Sequence, residues 1–152
     1  KVSKWWEKDQ NLKFMDVPEC ARESMYSFWY SQHQNVSAES VEAECELAAK
    51  LGFTSVIVDD GWQTDDNNRG YYFCGDWAPA VKKFPDFSAH VKKVQDMGLK
   101  YLMWFSVPFL GMKAEAYERF KDKMLYKQGP EECRTHVVDP RYPEIRAYLI
   151  GL

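Results

Sequence analysis

Several things are missing from this chain of 152 residues. It has no uninterrupted apolar stretch of the roughly 18 residues that a membrane-crossing helix needs. It has no block of lysine and arginine. Basic and acidic side chains are interspersed to a net charge of −3, which excludes the electrostatic footprint of a nucleic-acid binder. No GxGxxG and no Walker sequence occurs, so the phosphate cradle of a nucleotide site is excluded. Cysteine is sparse. Cys20, Cys45, Cys74 and Cys133 are widely and irregularly spaced and match no zinc or redox motif. In a chain of this length they read as free thiols of a reducing, cytoplasmic compartment, packed as small hydrophobes. No metal or cofactor is implied. No signal peptide is visible, and a chain that opens on Lys1 is expected to be cut or processed at that end.

Apolar residues are plentiful. They make up 45% of the chain, enough for a real core, and aromatics reach 16%, with six Trp and nine Tyr. Aromatic wealth suits a ligand cleft as well as a core. Residues 25–31, MYSFWYS, read as a strand. Ser37 then reads as an N-cap for a helix over 38–51, with Val41, Cys45 and Ala48 on one stripe. Glu39, Glu42 and Glu44 lie toward its positive end, Lys50 lies at its negative end, and Gly52 supplies a left-handed stop. A second strand covers 54–59, and a long polar loop runs from 61 to about 87. A second helix starts near Ser88, with Phe87, Val91 and Val94 on one face, and ends at Gly98. The apolar run 99–107 reads as a strand covered on both faces. A charged, solvated helix is expected over 113–124, with Tyr117, Phe120 and Met124 in line. Residues 135–138, THVV, are extended. A last helix opens at Pro143 and carries Ile145, Tyr148, Leu149 and Leu152 to the final residue, where it is expected to be cut off. Residues 1–24 show no clean period. Trp5, Trp6, Leu12 and Phe14 suggest a lead-in that packs on a missing neighbour domain, with residues 25–152 forming the body.

LGFTSVIVDD and MGLKYLMWFS both read as helix end, glycine, strand, a weak internal repeat. Strands alternating with helices mean βαβ units and a parallel sheet. A doubly wound sheet and a (β/α)8 barrel both satisfy the pattern. In either, function gathers at the carboxyl ends of the strands. Those ends hold Trp29 and His33, then Asp59, Asp60 and Trp62, then Trp104. Indole faces beside fixed carboxylates suit a sugar: its C–H face stacks on the ring, and its hydroxyls donate to the carboxylates. Buried carboxylates must be hydrogen-bonded, by sugar hydroxyls or by a later lysine or arginine. The plainer alternative is that one aspartate caps the following loop through backbone N–H groups. Trp29 and Trp104 also have a packing role open to them, Trp62 and Trp77 could pin the loop, and His33 is expected to be exposed or bonded locally.

MYSFWYSQHQ, IVDDGWQ, YYFCGDW with KFPDF, HVKKVQDMGLKYLMWF and VVDPRYPEIRAYL, in that order, resemble glycoside hydrolase family 36, the α-galactosidases and their relatives that handle raffinose-type sugars. The resemblance runs from about Met25 to Leu152. It implies an α/β fold in which the chain holds the first three βα units of an incomplete (β/α)8 barrel with parallel strands. It also implies that Trp29 and Trp104 are aromatic walls, with Trp62 beside them, and that Asp59 and Asp60 bind galactose hydroxyls. Family members hydrolyse terminal α-D-galactosides with retention, using two carboxylates. The family places its nucleophile in a Lys-x-Asp setting on strand four and its acid/base later. Neither motif stands here, so both catalytic groups are expected after Leu152 and the segment alone is expected to be inactive. Asp59 and Asp60 cannot replace them, because adjacent strand residues point in opposite directions. The implied partner is an α-galactoside oligosaccharide, with assembly of copies through the full-length protein and no nucleic acid or membrane. A galactosyl transferase of the raffinose-synthase type and a non-catalytic sugar-binding module remain as alternatives. Against the module, three parallel strands leave a bare edge.

Overall fold

A computed structural model describes residues 1–12, 15–68, 70–128 and 135–152. Phe14 and Cys133 lie outside the described residues. The body is built on a parallel sheet of three strands, β1 (Met25–Ser27), β2 (Ser55–Val58) and β3 (Lys100–Met103), in the order β1-β2-β3. The register sets Ser27 beside Ile57 and Ile57 beside Leu102. Between the strands run α3 (Ala38–Lys50) and α4 (Phe87–Asp96). The short helices α1 (Val2–Asp9) and α2 (Trp29–Gln32) precede them. The expected order of strand, helix, strand, helix, strand therefore stands.

Local chemistry explains these elements. Ser37 caps α3 in a capping box with Ser40, each side chain serving the other's backbone N–H. Val41, Cys45 and Ala48 are the buried residues of α3, as their spacing predicts. Gly52 and Gly98 both stop a helix with positive φ, +87° and +84°, which gives the internal repeat its physical content. Val56 and Val58 point down into the core with Phe28, Val36, Phe84, Val94 and Leu99. On the opposite face of the same sheet, Met25 is 47% and Leu102 41% exposed. α3 and α4 cover the first face, and on the second the short helical turn Glu19–Arg22 borders a hollow beside Met25, Ser55 and Leu102.

α4 buries His90 along with Val94. The His90 ring bonds through Nδ1 to Glu42 of α3 at 2.9 Å and through Nε2 to the Tyr101 hydroxyl of β3 at 3.1 Å. Lys93 donates to the second Glu42 oxygen at 2.6 Å. Burial pushes the Glu42 carboxyl up, but the bonds from Lys93 and His90 outweigh it, and the net result lies below the ordinary 4.5. An acid with a lowered folded pKa contributes stability above its unfolded pKa and loses it as pH falls through the folded one. Thermal melting should therefore show the wild type losing its advantage over Glu42→Gln as pH drops below about 4.5, with the two converging at lower pH.

Three expected elements differ. The first strand stops at Ser27, and Trp29 lies in α2. Phe28 N–H still reaches Ile57 O, but the Ser31 and Gln32 N–H groups turn back to Phe28 O. Glu44 of α3 takes bonds from Ser31, Gln32 and Tyr26 and holds that turn. The third strand likewise ends at Met103. The charged helix shrinks to α5 (Tyr117–Phe120), and Met124 opens a strand instead.

That strand belongs to a second sheet that the sequence pattern does not announce. β4 (Phe109–Gly111), β5 (Met124–Gln128) and β6 (Thr135–Val138) pair antiparallel in the order β4-β6-β5. Leu110, Phe120, Val138 and Ile145 form its small core with α6 (Pro143–Ile150). The long loop is sewn onto this sheet: Gly111 N–H donates to Cys74 O, Lys113 N–H to Tyr72 O, and the Tyr148 hydroxyl to Gly75 O. Asp76 receives the Glu115 and Ala116 N–H groups just before α5.

α1 buries none of its residues, and Trp5 and Trp6 remain 47% and 43% exposed. No helix among the described residues is long and apolar enough to cross a membrane.

Candidate active site: the carboxyl edge of the parallel sheet

Trp29, Asp59 and Trp104 each stand within two residues of the carboxyl end of one of the three parallel strands, Trp29 at the start of α2 and Asp59 and Trp104 directly after Val58 and Met103. Asp59 follows the alternation of β2 onto the open face, the face of Leu102. Asp60 follows Val56 and Val58 onto the covered face. Burial agrees: Asp60 is 1% exposed, while Asp59 is only half-buried. Two adjacent carboxylates can end one strand because they leave it in opposite directions.

Asp60 is held from both sides. Gln34, from the loop after α2, donates its Nε2 to Oδ2 at 2.5 Å. Gln63 donates its Nε2 to Oδ1 at 2.6 Å, and its Oε1 accepts the Gly61 N–H at 3.0 Å. Among the described residues no lysine or arginine bonds this carboxylate, and two carboxamides hold it. Burial pushes the Asp60 carboxyl up, the bonds from Gln63, Gln34 and Gly61 pull it down, and the Asp59 charge adds to the rise; the net shift is upward. Asp59 uses Oδ1 to accept the Asp60 N–H at 2.7 Å, a short loop-capping bond.

Gly61 allows the two loops to close. Its φ is +113°, and a Cβ there would lie 2.5 Å from the Gln34 Cα. No side chain fits. Lys83 completes the junction by donating to Gln34 O, Gly61 O and Asn67 Oδ1.

The aromatic residues divide. Trp29 is partly buried and meets the His33 ring edge-on at 5.1 Å, and His33 is neither exposed nor bonded through its buried Nδ1, which has no hydrogen-bond partner among the described residues. Trp104 is partly buried, with Tyr71 stacked on it at 5.8 Å and Trp77 edge-on at 5.8 Å. Trp62 is 1% exposed. It is flanked by Trp77 at 6.1 Å and Phe87 at 6.4 Å, and its Nε1 donates to Trp104 O at 2.9 Å. Trp62 thus braces Trp104 from behind and presents no face to a solute.

Tyr71 was not anticipated. It comes from the long loop, is 37% exposed, and lies near the doublet: burial, then the Asp60 charge, raises its pKa, with Cys74 and Asp59 adding to the rise. Gln34, Gln63 and Lys83 lie in the stretches MYSFWYSQHQ, IVDDGWQ and KFPDF, but nothing in those stretches assigns them a role. Only the meeting of two loops gives them partners. Among the described residues no group of three or more His, Cys, Asp or Glu could hold a metal ion.

A family model described as melibiase matches residues 19–152. The chain belongs to the melibiase family. Relatives include α-galactosidase Mel36A of Lactobacillus acidophilus, 27% identical over 130 residues that span 84% of this chain and 17% of that protein. α-Galactosidase 1 of Pediococcus pentosaceus is 32% identical over 115 residues, 72% of this chain and 15% of that protein. Among solved structures, the GH36 α-galactosidase AgaA of Geobacillus stearothermophilus in complex with raffinose superposes with a TM-score of 0.76 at 21% identity, over 86% of this chain and 18% of that one. The α-galactosidase of Lactobacillus brevis gives 0.75 at 23%, over 86% and 18%. At these identities the structural likeness speaks for the fold. The family 36 resemblance read from the sequence is borne out. This melibiase-family chain spans about one sixth of the length of the curated relatives it matches.

Proposed function

We propose that this chain is part of a retaining α-galactosidase that hydrolyses terminal α-D-galactosides, and that it supplies the galactose-binding wall of a (β/α)8 barrel. The observation that carries the reading is that Trp29, Asp59 and Trp104 each follow within two residues of the carboxyl end of one of three adjacent parallel strands. Asp59 accepts galactose hydroxyls, Trp29 and Trp104 flank the ring, and Asp60 stiffens the doublet. Trp62 serves through Trp104. The nucleophile and the acid/base lie on later strands, beyond Leu152. The apolar open face of the sheet, with Leu102 and Met25, supports a barrel interior that those strands would close.

The lead-in, residues 1–24, docks on a neighbouring domain through Trp5 and Trp6, whose exposure supports that role. Cys20, Cys45 and Cys74 are free thiols, which supports a reducing, cytoplasmic setting. Burial holds the Cys45 thiol protonated, pushed up to about 12, as suits a packing residue.

The 152-residue chain should quench its tryptophan fluorescence on titration with galactose, yet release no nitrophenol from p-nitrophenyl α-galactoside. Nitrophenol release by this chain would place catalysis inside it. A flat titration, together with an intact protein that turns over no α-galactoside, would end the galactose reading.

A further inference from the structure

Lys83 opens the KFPDF stretch, to which no sugar contact is assigned, yet its ammonium reaches three acceptors in the loops at the rim. Its ammonium has three donors. All three are used: Gln34 O at 2.6 Å, Gly61 O at 2.7 Å and Asn67 Oδ1 at 2.7 Å. Two of those acceptors sit on the separate loops that hold Asp60. Gln34 reaches Asp60 through its side chain, and Gly61 is the residue that follows it. The remaining bonds close a ring, since Gln63 accepts from Gly61 and donates to Asp60.

The mount of Lys83 is itself rigid. Its N–H donates to Ala80 O, and its C=O accepts from Ala38 at the start of α3. Ala80 N–H returns to Trp62 O, and the neighbouring Phe84 is 2% exposed. Backbone carbonyls tolerate a buried cation because each contributes a partial negative charge. The carboxylates of Asp65, Asp60 and Asp66 surround the ammonium at longer range and favour its charge, while burial opposes it and lowers its pKa.

We propose that Lys83 is a positioning residue for galactoside binding: its ammonium locks the loop after β1 to the loop after β2 and so sets the aim of the Asp59–Asp60 doublet. The inference rests on the galactosidase reading above. It makes Lys83 act through Asp60 rather than through contact with sugar.

The test uses the intact protein and p-nitrophenyl α-galactoside. Lys83→Met keeps the stem and removes every donor. It should raise KM about ten- to a hundredfold, the scale of a sub-ångström to ångström misplacement at a site, with a smaller change in kcat. Lys83→Arg keeps the charge and replaces three spread donors with a planar fork. It should raise KM by less, and it covers the case in which the methionine variant does not fold. The same change made in an Asp60→Asn background should cost much less than in the wild type, because its effect travels through that carboxylate. Equal penalties in both backgrounds, or an unchanged KM in the variants that fold, would overturn the inference. An intact wild type that turns over no α-galactoside would overturn the functional reading instead, and this inference with it.

Discussion

Asp59→Ala in the intact protein should lower kcat/KM for an α-galactoside about a hundred- to ten-thousandfold while leaving the thermal midpoint nearly unchanged, taking two lost charge-assisted hydrogen bonds at about 1.5–3 kcal/mol each. The asymmetry of the doublet is the reason. Asp59 stands on the open face, is half-buried, and spends one oxygen on a single local N–H, so its removal orphans little. Asp60→Ala should behave differently. It would break the bonds that the Nε2 groups of Gln34, which is buried, and Gln63 make to this carboxylate. Losing both partners should cost about 2–4 kcal/mol of stability, and activity should fall along with folding. Thermal melts beside steady-state kinetics separate the two. An Asp59→Ala protein that keeps activity within threefold of wild type, or one that melts as early as Asp60→Ala, would remove Asp59 from the sugar's side of the wall.

The parts of this wall that could be read in advance are those written within a few residues of each other. The cap at Ser37, the stripe of Val41, Cys45 and Ala48, and the stop at Gly52 all act over one helix, and α3 forms where they place it. The parting of Asp59 from Asp60 is equally local, a matter of strand alternation. What escaped the sequence depends on loops meeting. Trp29 is written in a β-rich stretch, yet Glu44 draws Ser31 and Gln32 into a helical turn from a later helix. Met124 fits a helical stripe, yet it pairs with Val138 in a strand, because the chain returns to a sheet that no local period encodes. Gln34, Gln63 and Lys83 are ordinary polar residues until Gly61 lets the loops touch.

Trp62→Ala should be the most destabilising change at the rim, with an expected loss of about 3–5 kcal/mol for truncating a large buried aromatic. IVDDGW suggests a tryptophan that serves the ligand, and the geometry gives it a different task. Its indole is 1% exposed, lies between Trp77 and Phe87, and meets Phe105 edge-on at 5.2 Å. The truncation would open a cavity under the whole rim and also free the Trp104 carbonyl from its Nε1 bond. Trp62→Phe isolates that bond. It keeps most of the packing and should cost about 1–2 kcal/mol, largely the lost hydrogen bond and the smaller ring. Urea unfolding of the 152-residue chain would measure both, and galactose titration of the phenylalanine variant would show whether the binding wall survives. If Trp62→Phe leaves stability untouched but abolishes the galactose response, the indole faces the sugar after all. If it loosens the fold and preserves the response, Trp62 holds Trp104 in place and the sugar meets only the front of the pair.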